Sequence, residues 1–499
     1  MKKKSYLSLF FLPLLFITVA LLPACKKNSD SGASAPPVIT AIKSYVASPN
    51  DTVINAAVAK GQWVVITGHN LQNATQIYFD GVPASFNTAL FAPGSAVVQI
   101  PAIQFSTVDT TKLYTVKYAT PAGTTTFAFK LGPAAPTITA ISNVFAAPGD
   151  SVHLFGANLV LVQRFVYGGT PITSFKSSLD GTSLGFLMPA ATPTDQISVV
   201  AKAGTVNFKI VATPTITGVS NENANKGDSV IVYGTYLKNI QSLSFAGTPI
   251  TSFKEAADLG SVRFVLPALT KSGPVSVTTK FGSATTVYNV NDISTGAISN
   301  WEWSGAFNWQ WWGGANLTSG DPNSGWPPYN PDFPGNSSLY MVLKNSALSP
   351  AEGNTYSNYA IRMNEAQWVP KANMGDPVDN WAFKFEVNIA KPWNGGTIDI
   401  FSGIDSSPIA RWEPWQKTPT STAAYSTKGW ITVTIPLSAF RKPDATLGEG
   451  KGDSIAKLAD LVGPTGNTSC YVYIHNYGTA TTATGFYGAF DNLRVVKIK

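Results

Sequence analysis

Val64-Val65-Ile66-Thr67-Gly68-His69-Asn70-Leu71 is written twice more in this chain, as Val152-His153-Leu154-Phe155-Gly156-Ala157-Asn158-Leu159 and as Val230-Ile231-Val232-Tyr233-Gly234-Thr235-Tyr236-Leu237. In each copy apolar residues alternate up to a glycine turn, which is the pattern of a half-buried strand running into a tight bend. Working outward, each copy opens on a matching strand: Pro37-Val38-Ile39-Thr40-Ala41-Ile42, Pro136-Thr137-Ile138-Thr139-Ala140-Ile141 and Pro214-Thr215-Ile216-Thr217-Gly218-Val219. These openings lie 99 and 78 residues apart. A hairpin follows in each, at Gly81-Val82-Pro83, Gly169-Thr170-Pro171 and Gly247-Thr248-Pro249. Then come the corners Pro101-Ala102, Pro189-Ala190 and Pro267-Ala268, and late strands at Tyr114–Lys117, Ile197–Val200 and Val275–Thr278. About seven short strands with regular turns, three times over, predict three tandem Ig-like sandwiches.

The Gly-x-Asn-Leu turn and the Gly-x-Pro hairpin resemble those of IPT/TIG domains, over residues 37–132, 133–211 and 212–291. The third copy departs from the pattern, with Tyr236 where the others have Asn70 and Asn158. None of the three holds an aromatic cluster or a carboxylate pair, and His69 and His153 fall at different offsets from the turn. They read as rigid spacers. The extra stretch around Ser44–Lys60 makes the first copy the candidate for a secondary ligand or partner site.

Composition agrees with an all-β chain: only 13% of residues are charged, and no segment sustains apolar spacing at helical period. The N-terminus reads as a targeting device. Met1-Lys2-Lys3-Lys4 is a basic region, Leu7 to Leu22 is almost wholly apolar, and Leu22-Pro23-Ala24-Cys25 follows. This resembles a bacterial lipoprotein signal over residues 1–24, with lipidation of Cys25 and a flexible tether over 25–36. Three acyl chains would anchor the protein to a membrane without spanning it. Removing Lys2, Lys3 and Lys4 takes the formal charge from +7 to +4. The remaining charges are scattered, so no nucleic-acid partner is expected. With Cys25 lipidated, Cys470 is the one thiol left, so no intramolecular disulfide is expected, and one thiol with three scattered His (His69, His153 and His475) does not make up a structural zinc motif.

Twelve of the 13 tryptophans lie between Trp301 and Trp430, so residues 292–499 are a different building material. In Trp381–Val387 the apolar face is Trp381, Phe383, Phe385 and Val387, with Lys384 and Glu386 opposite. In Trp430–Ile435 the core face is Ile431, Val433 and Ile435, which leaves Trp430 off it. In Cys470–Tyr477, Cys470, Val472 and Ile474 point inward, and Tyr471, Tyr473, His475 and Tyr477 form the opposite, solvent-facing row. Rings with polar tips suit sugars, whose C–H faces stack on Trp and Tyr while their hydroxyls need planar hydrogen-bonding partners. The candidate platforms are aromatics whose local chain disfavours burial. Trp326 and Tyr329 flank Pro327-Pro328, and Trp412 and Trp415 sit beside Pro414 with Arg411 and Glu413 as hydroxyl partners. Trp312 adjoins Gly313-Gly314. Trp412 is the leading candidate; Trp301, Trp303, Trp368, Trp381 and Trp393 read as core or rim.

The order of lipoprotein signal, Ig-like beads and Trp-rich terminal domain resembles the surface glycan-binding lipoproteins of Bacteroidota polysaccharide-utilisation systems. Arg411-Trp412-Glu413-Pro414-Trp415, Trp430–Leu437 and Phe490-Asp491-Asn492-Leu493-Arg494-Val495-Val496 resemble their C-terminal domain. The resemblance implies a jelly-roll-like sandwich that captures xyloglucan or another plant-type β-glycan without cleaving it. It implies an outer-membrane protein facing the cell exterior, with a TonB-dependent transporter and surface glycoside hydrolases as partners. Such sandwiches can hold a structural Ca²⁺, with Asp491 as a ligand candidate; no motif supports one, and no cofactor is expected. A jelly-roll glycoside hydrolase is the main rival, but no strand carries the paired carboxylates that such chemistry needs. An adhesin using its aromatics to grip a protein partner is the other alternative.

Overall fold

The glycine of the repeated turn is required by backbone, not by solvent. In the computed structural model, which describes residues 35–45, 53–54, 61–190, 196–310, 315–350, 360–403 and 408–499, the opening strand of each bead bulges where it pairs with the strand that runs into the turn, and brings one of its carbonyls against the glycine. A Cβ on Gly68, Gly156 or Gly234 would lie 1.8, 1.9 or 1.8 Å from the carbonyl oxygens of Val38, Thr137 and Thr215. Two residues on, Asn70, Asn158 and Tyr236 take φ of 61°, 54° and 55°. Asparagine tolerates that left-handed region well. Asn70 and Asn158 also donate to the carbonyls of Pro36 and Ala135, a clasp on the chain entering each bead. Leu71, Leu159 and Leu237 then drop fully into the core.

The chain divides after Ile210 into two compact units, each taken by itself. In the first, each bead pairs two four-stranded antiparallel sheets. The first bead joins Val38–Ser44, Trp63–His69, Ser95–Gln99 and Phe91–Ala92, and opposes them with Val82–Pro83, Gln76–Phe79, Thr115–Thr120 and Gly123–Ala128. The second repeats this arrangement. The second unit holds the third bead and the Trp-rich domain. That domain packs one sheet, of Asn316–Ser319, Leu339–Lys344, Tyr487–Lys497, Trp381–Ile389 and Ile431–Pro436, with Ala297–Ser299 added to Tyr487–Lys497. Opposite lie Ala360–Gln367, Asn467–His475, Thr397–Ser402 and Ile409–Trp412. The only α-helix among the described residues is Leu458–Val462. The chain is all-β, as its composition predicts.

Between the two sheets, Phe383, Phe385 and Val387 meet Cys470, Val472 and Ile474, the inward faces that alternation predicts. Burial pushes the Cys470 thiol well above its usual range, so it stays a small apolar side chain. The opposite face of Trp381–Ile389 differs from expectation: Lys384 and Glu386 are 1% and 3% exposed. The third bead covers them. Its Glu222 carboxylate accepts from Lys384 Nζ at 2.5 Å and from Arg494 Nη2 at 2.8 Å, and Arg494 also forks onto Glu386 at 2.8 and 2.9 Å. Lys384 Nζ stands 3.3 Å over the Tyr288 ring. Backbone bonds frame the cluster, with Thr432 N–H donating to Ser220 O and Glu222 N–H to Thr432 Oγ1.

Two expected outcomes follow from these contacts. Gly156→Ala forces backbone apart and should destabilise the second bead by about 1–3 kcal/mol, read as a lowered melting temperature. Glu222→Gln leaves two cations facing one carboxylate out of water. It should remove about 3–5 kcal/mol from the unit holding the third bead, seen by calorimetry as a selective shift of that transition.

Candidate binding surface

Two loops at one end of the Trp-rich domain expose large aromatic rings. Trp303 is 56% exposed, Trp326 60% and Tyr329 43%. The Trp303 and Trp326 ring centres lie 5.7 Å apart with planes 23° from parallel, and Phe307 stacks on Trp303 at 4.4 Å and 20°. Three near-parallel rings make a continuous apolar ridge. Each such ring would bury some 150–250 Å² elsewhere in a fold, so their exposure marks a surface built to meet something.

Both loops are pinned from below. Trp301 is fully buried at φ 52°, which turns the chain so that Trp303, two residues on, faces out. Leu339 N–H donates to Glu302 Oε1 at 2.8 Å, and Gly305 N–H to Glu302 O closes the turn. Asn308 and Asn364 exchange bonds of 3.1 and 2.8 Å, and Gln310 Nε2 donates to Asn364 Oδ1. The second loop is held by Ser319 N–H to Pro328 O and by Ser324 Oγ to Pro327 O. The Trp326–Pro327 peptide is cis, and Pro327 is buried while Trp326 stands out. The amides of Asn308, Gln310 and Asn364 thus lie on the same pinned loop and the strand beside it.

The other sequence candidates are distributed differently. Trp326 and Tyr329 sit on the exposed loop. Trp312 lies outside the described residues, as do Cys25, the signal segment and most of the stretch 44–60. Trp412 is half-buried and turned inward, its ring against Phe385, Trp393 and Tyr425 at 5.6, 5.7 and 6.0 Å. Strand alternation explains the reversal: Ala410 and Trp412 share the core face, and Arg411 takes the other. Trp415 is 8% exposed and its Nε1 donates to Gly396 O at 2.7 Å, so it too belongs to the core. The expectation that Trp412 and Trp415 face a ligand is therefore corrected.

Tyr473 and His475 do lie on the outer face of their strand, yet both are 4% exposed. That corrects the solvent-facing row. Tyr473 packs on Phe401 at 4.9 Å and on Tyr471 at 5.9 Å, beneath the Arg362 guanidinium. His475 stacks on Tyr477 at 3.8 Å with Nδ1 3.6 Å from Asp399 Oδ2. The segment after Phe440 lies over this end: Arg441 pairs with Ile409, and Glu449 accepts from Tyr477 OH at 3.1 Å and, through its carbonyl, from Arg411 Nη2. Arg411 is spent there, its guanidinium 3.6 Å over the Tyr477 ring. Tyr477 OH also donates to Asp399 at 2.8 Å. Burial raises the Asp399 pKa, against the lowering pull of His475 and Tyr477, and burial with the nearby Asp399 charge raises that of Tyr477. Asp399 is fully enclosed, so its proximity to Glu449 offers no open carboxylate pair to a substrate. Among the described residues no group of three His, Cys, Asp or Glu could hold a metal ion.

Trp303 is the exposed aromatic that sequence reasoning missed, with the half-buried Phe307 stacked on it. In Trp301-Glu302-Trp303 the spacing puts both indoles on one face of a strand, and only the turn at Trp301 separates them.

Known proteins resemble this chain in sequence and fold. The family model described as the surface glycan-binding protein B xyloglucan-binding domain matches residues 290–497. An IPT/TIG domain-containing protein of Bacteroides ovatus is 23% identical, over 98% of this chain and 98% of its own length. A crystal structure with a xylogluco-oligosaccharide aligns at TM-score 0.57 and 18% identity, covering 93% of this chain and all of that one. An SGBP-B from a complex xyloglucan utilisation locus in Bacteroides uniformis aligns at 0.41 and 18%, over 73% of this chain and all of its own.

Oxidation by N-bromosuccinimide, mapped by mass spectrometry, should modify Trp303 and Trp326 well before Trp415 and Trp368, which stay protected. Early loss of Trp415 would contradict its assignment to the core.

Proposed function

We propose, from a C-terminal domain that matches the family model of the surface glycan-binding protein B xyloglucan-binding domain over residues 290–497, that this chain binds a plant-type β-glycan such as xyloglucan without cleaving it. The observation that carries the reading is the exposed pair Trp303 and Trp326, with the half-buried Phe307 stacked behind Trp303. Apolar sugar faces stack on such rings, and the amides of Asn308, Gln310 and Asn364 offer donors and acceptors for hydroxyls. A stacked ring contributes about 1–3 kcal/mol by analogy with base stacking. Two indoles therefore supply about 2–6 kcal/mol, so useful affinity needs both, together with hydrogen bonds or repeated contacts along a polymer.

Non-catalytic capture is favoured over hydrolysis because the buried carboxylates near the sheets are already engaged. Glu386 is forked by Arg494, Glu222 by Lys384 and Arg494, and Asp399 accepts from Tyr477. In this reading Cys25 carries the lipid that holds the chain to the outer membrane with its sandwiches outside the cell. The beads project the ridge, and captured glycan passes to surface hydrolases and a TonB-dependent transporter.

Affinity gel electrophoresis against xyloglucan, mixed-linkage β-glucan and an unrelated α-glucan tests this. Retardation should appear in at least one β-glucan gel and weaken at least tenfold in the Trp303→Ala/Trp326→Ala double variant. Reducing-end release should stay at background. Unchanged retardation in the double variant would move the site elsewhere, and sugar release would replace the binder with an enzyme.

A further inference from the structure

Trp63 is the one tryptophan outside the C-terminal domain, and it faces solvent from the first bead. Along Trp63–His69, Val64 and Ile66 are fully buried, so alternation sends Trp63 and Val65 to the outer face of the sheet. The neighbouring strand Val38–Ser44 pairs Lys43 with Val65 and Ser44 with Val64. Tyr45 N–H donates to Trp63 O at 3.1 Å, which carries that register one residue further. Tyr45 therefore stands directly opposite Trp63, on the same face. Tyr45 is 61% exposed and Trp63 42%. Opposed residues of an antiparallel pair hold their Cβ atoms about 5 Å apart, so two rings are presented side by side. On its other flank Trp63 pairs with Gln99, whose Nε2 donates to Gly61 O at 2.9 Å and so fixes the amide beside the indole. One step along the same face, Val65 lies between Lys43 and Val97.

The sibling beads show that the fold does not need these rings. Aligning the repeated turn puts Ser151 and Ser229 where the first bead has Trp63, at the same place in strands that pair in the same way. Counting from the opening proline puts Val144 and Glu222 where it has Tyr45. In the third bead this corner is a contact surface, where Glu222 and Ser220 hold the Trp-rich domain. The first bead offers two rings at that corner instead of a carboxylate. A single exposed ring is ordinary on a protein surface, but two directly opposed rings continued by Val65 and Val97 form one apolar strip.

Charge complementarity narrows the occupant. Of the residues just named on this face of the first bead only Lys43 is charged, so a polyanion would meet one cation, and a partner rich in charge would find nothing to pair with. A neutral partner with flat C–H faces and hydroxyls fits: its faces stack on the indole and phenol, and its hydroxyls reach the Gln99 amide and the Lys43 ammonium. We infer that Tyr45 and Trp63 form a second glycan-binding platform, on the first bead, for neutral pyranose units of a β-linked chain. The choice of sugar rests on the glycan-binding reading above; the location does not. Two rings hold a short oligosaccharide weakly. A polymer that engages two platforms of one chain gains from the effective concentration of the second contact.

The test uses the full chain carrying Trp303→Ala/Trp326→Ala, which leaves Trp63 in place. Saturating xyloglucan or mixed-linkage β-glucan should slow N-bromosuccinimide oxidation of Trp63, mapped by mass spectrometry, at least threefold; an α-glucan should leave it unchanged. Adding Trp63→Ser, the residue the sibling beads carry there, should weaken the retardation that remains in the β-glucan gel about tenfold, with the melting temperature unchanged. The proposal is overturned by a Trp63 oxidation rate that neither β-glucan changes, or by residual retardation that survives Trp63→Ser. It is also overturned if the double variant sediments as a dimer and Trp63→Ser makes it a monomer, which would assign this face to a second copy of the chain. The oxidation rate is read without a substitution at Trp63, so it decides the matter even where Trp63→Ser lowers the melting temperature. If the unsubstituted chain is retarded in no β-glucan gel, the glycan-binding reading itself fails; retardation there with Trp63 unprotected defeats this platform alone.

Discussion

Glu222, Glu386, Lys384 and Arg494 sit together out of water, two acids and two bases with every charge matched. Such groups are expensive to bury singly and tolerable only as a hydrogen-bonded set. Three come from one sheet of the Trp-rich domain and the fourth from the third bead, so that sheet face is complete only with the bead in place. Burial lowers the Lys384 pKa to about 8 against the opposing pull of Glu222, a measure of how dry the junction is. The third bead is therefore part of the binding unit's structure, whatever the first two do. The face it covers is closed to solvent, and the exposed aromatic loops lie elsewhere on the sandwich.

The same dryness organises the aromatic residues. Trp301, Trp368 and Trp393 are fully enclosed, and Trp415 closes the core rim against Trp393. Trp430 packs with Tyr340 and Phe333 in a small cluster on the other side of the sheet, off the main core as its strand pattern predicts. Trp303 and Trp326 alone among the described tryptophans stand more than half exposed. Tryptophan enrichment in this domain is thus mostly an architectural fact, with a small exposed remainder.

Much of the fold was readable because its signals are local. A glycine pressed against a carbonyl, a left-handed asparagine and a buried leucine recur at fixed spacing, and alternation placed Phe383, Val472 and Cys470 inward. The candidate surface was readable only where local chain and exposure coincide, as at the exposed Trp326 and Tyr329 beside two prolines. Arg411-Trp412-Glu413 misled because a strand turns its middle residue to the face opposite its neighbours, and here that face was the core.

What the sequence determined by itself is therefore the periodicity: three Ig-like beads, a Trp-rich sandwich, and which residues of each strand share a face. What lies upon a face was decided by tertiary structure. Tyr473 and His475 point outward yet are covered by other side chains, and Lys384 points outward yet meets Glu222 from a bead some 160 residues earlier, with Glu386 tied to the same acid through Arg494. Alternation is a property of one strand, with a period of two residues. Burial is a property of whatever else packs there, and contacts between distant segments leave no period in the sequence.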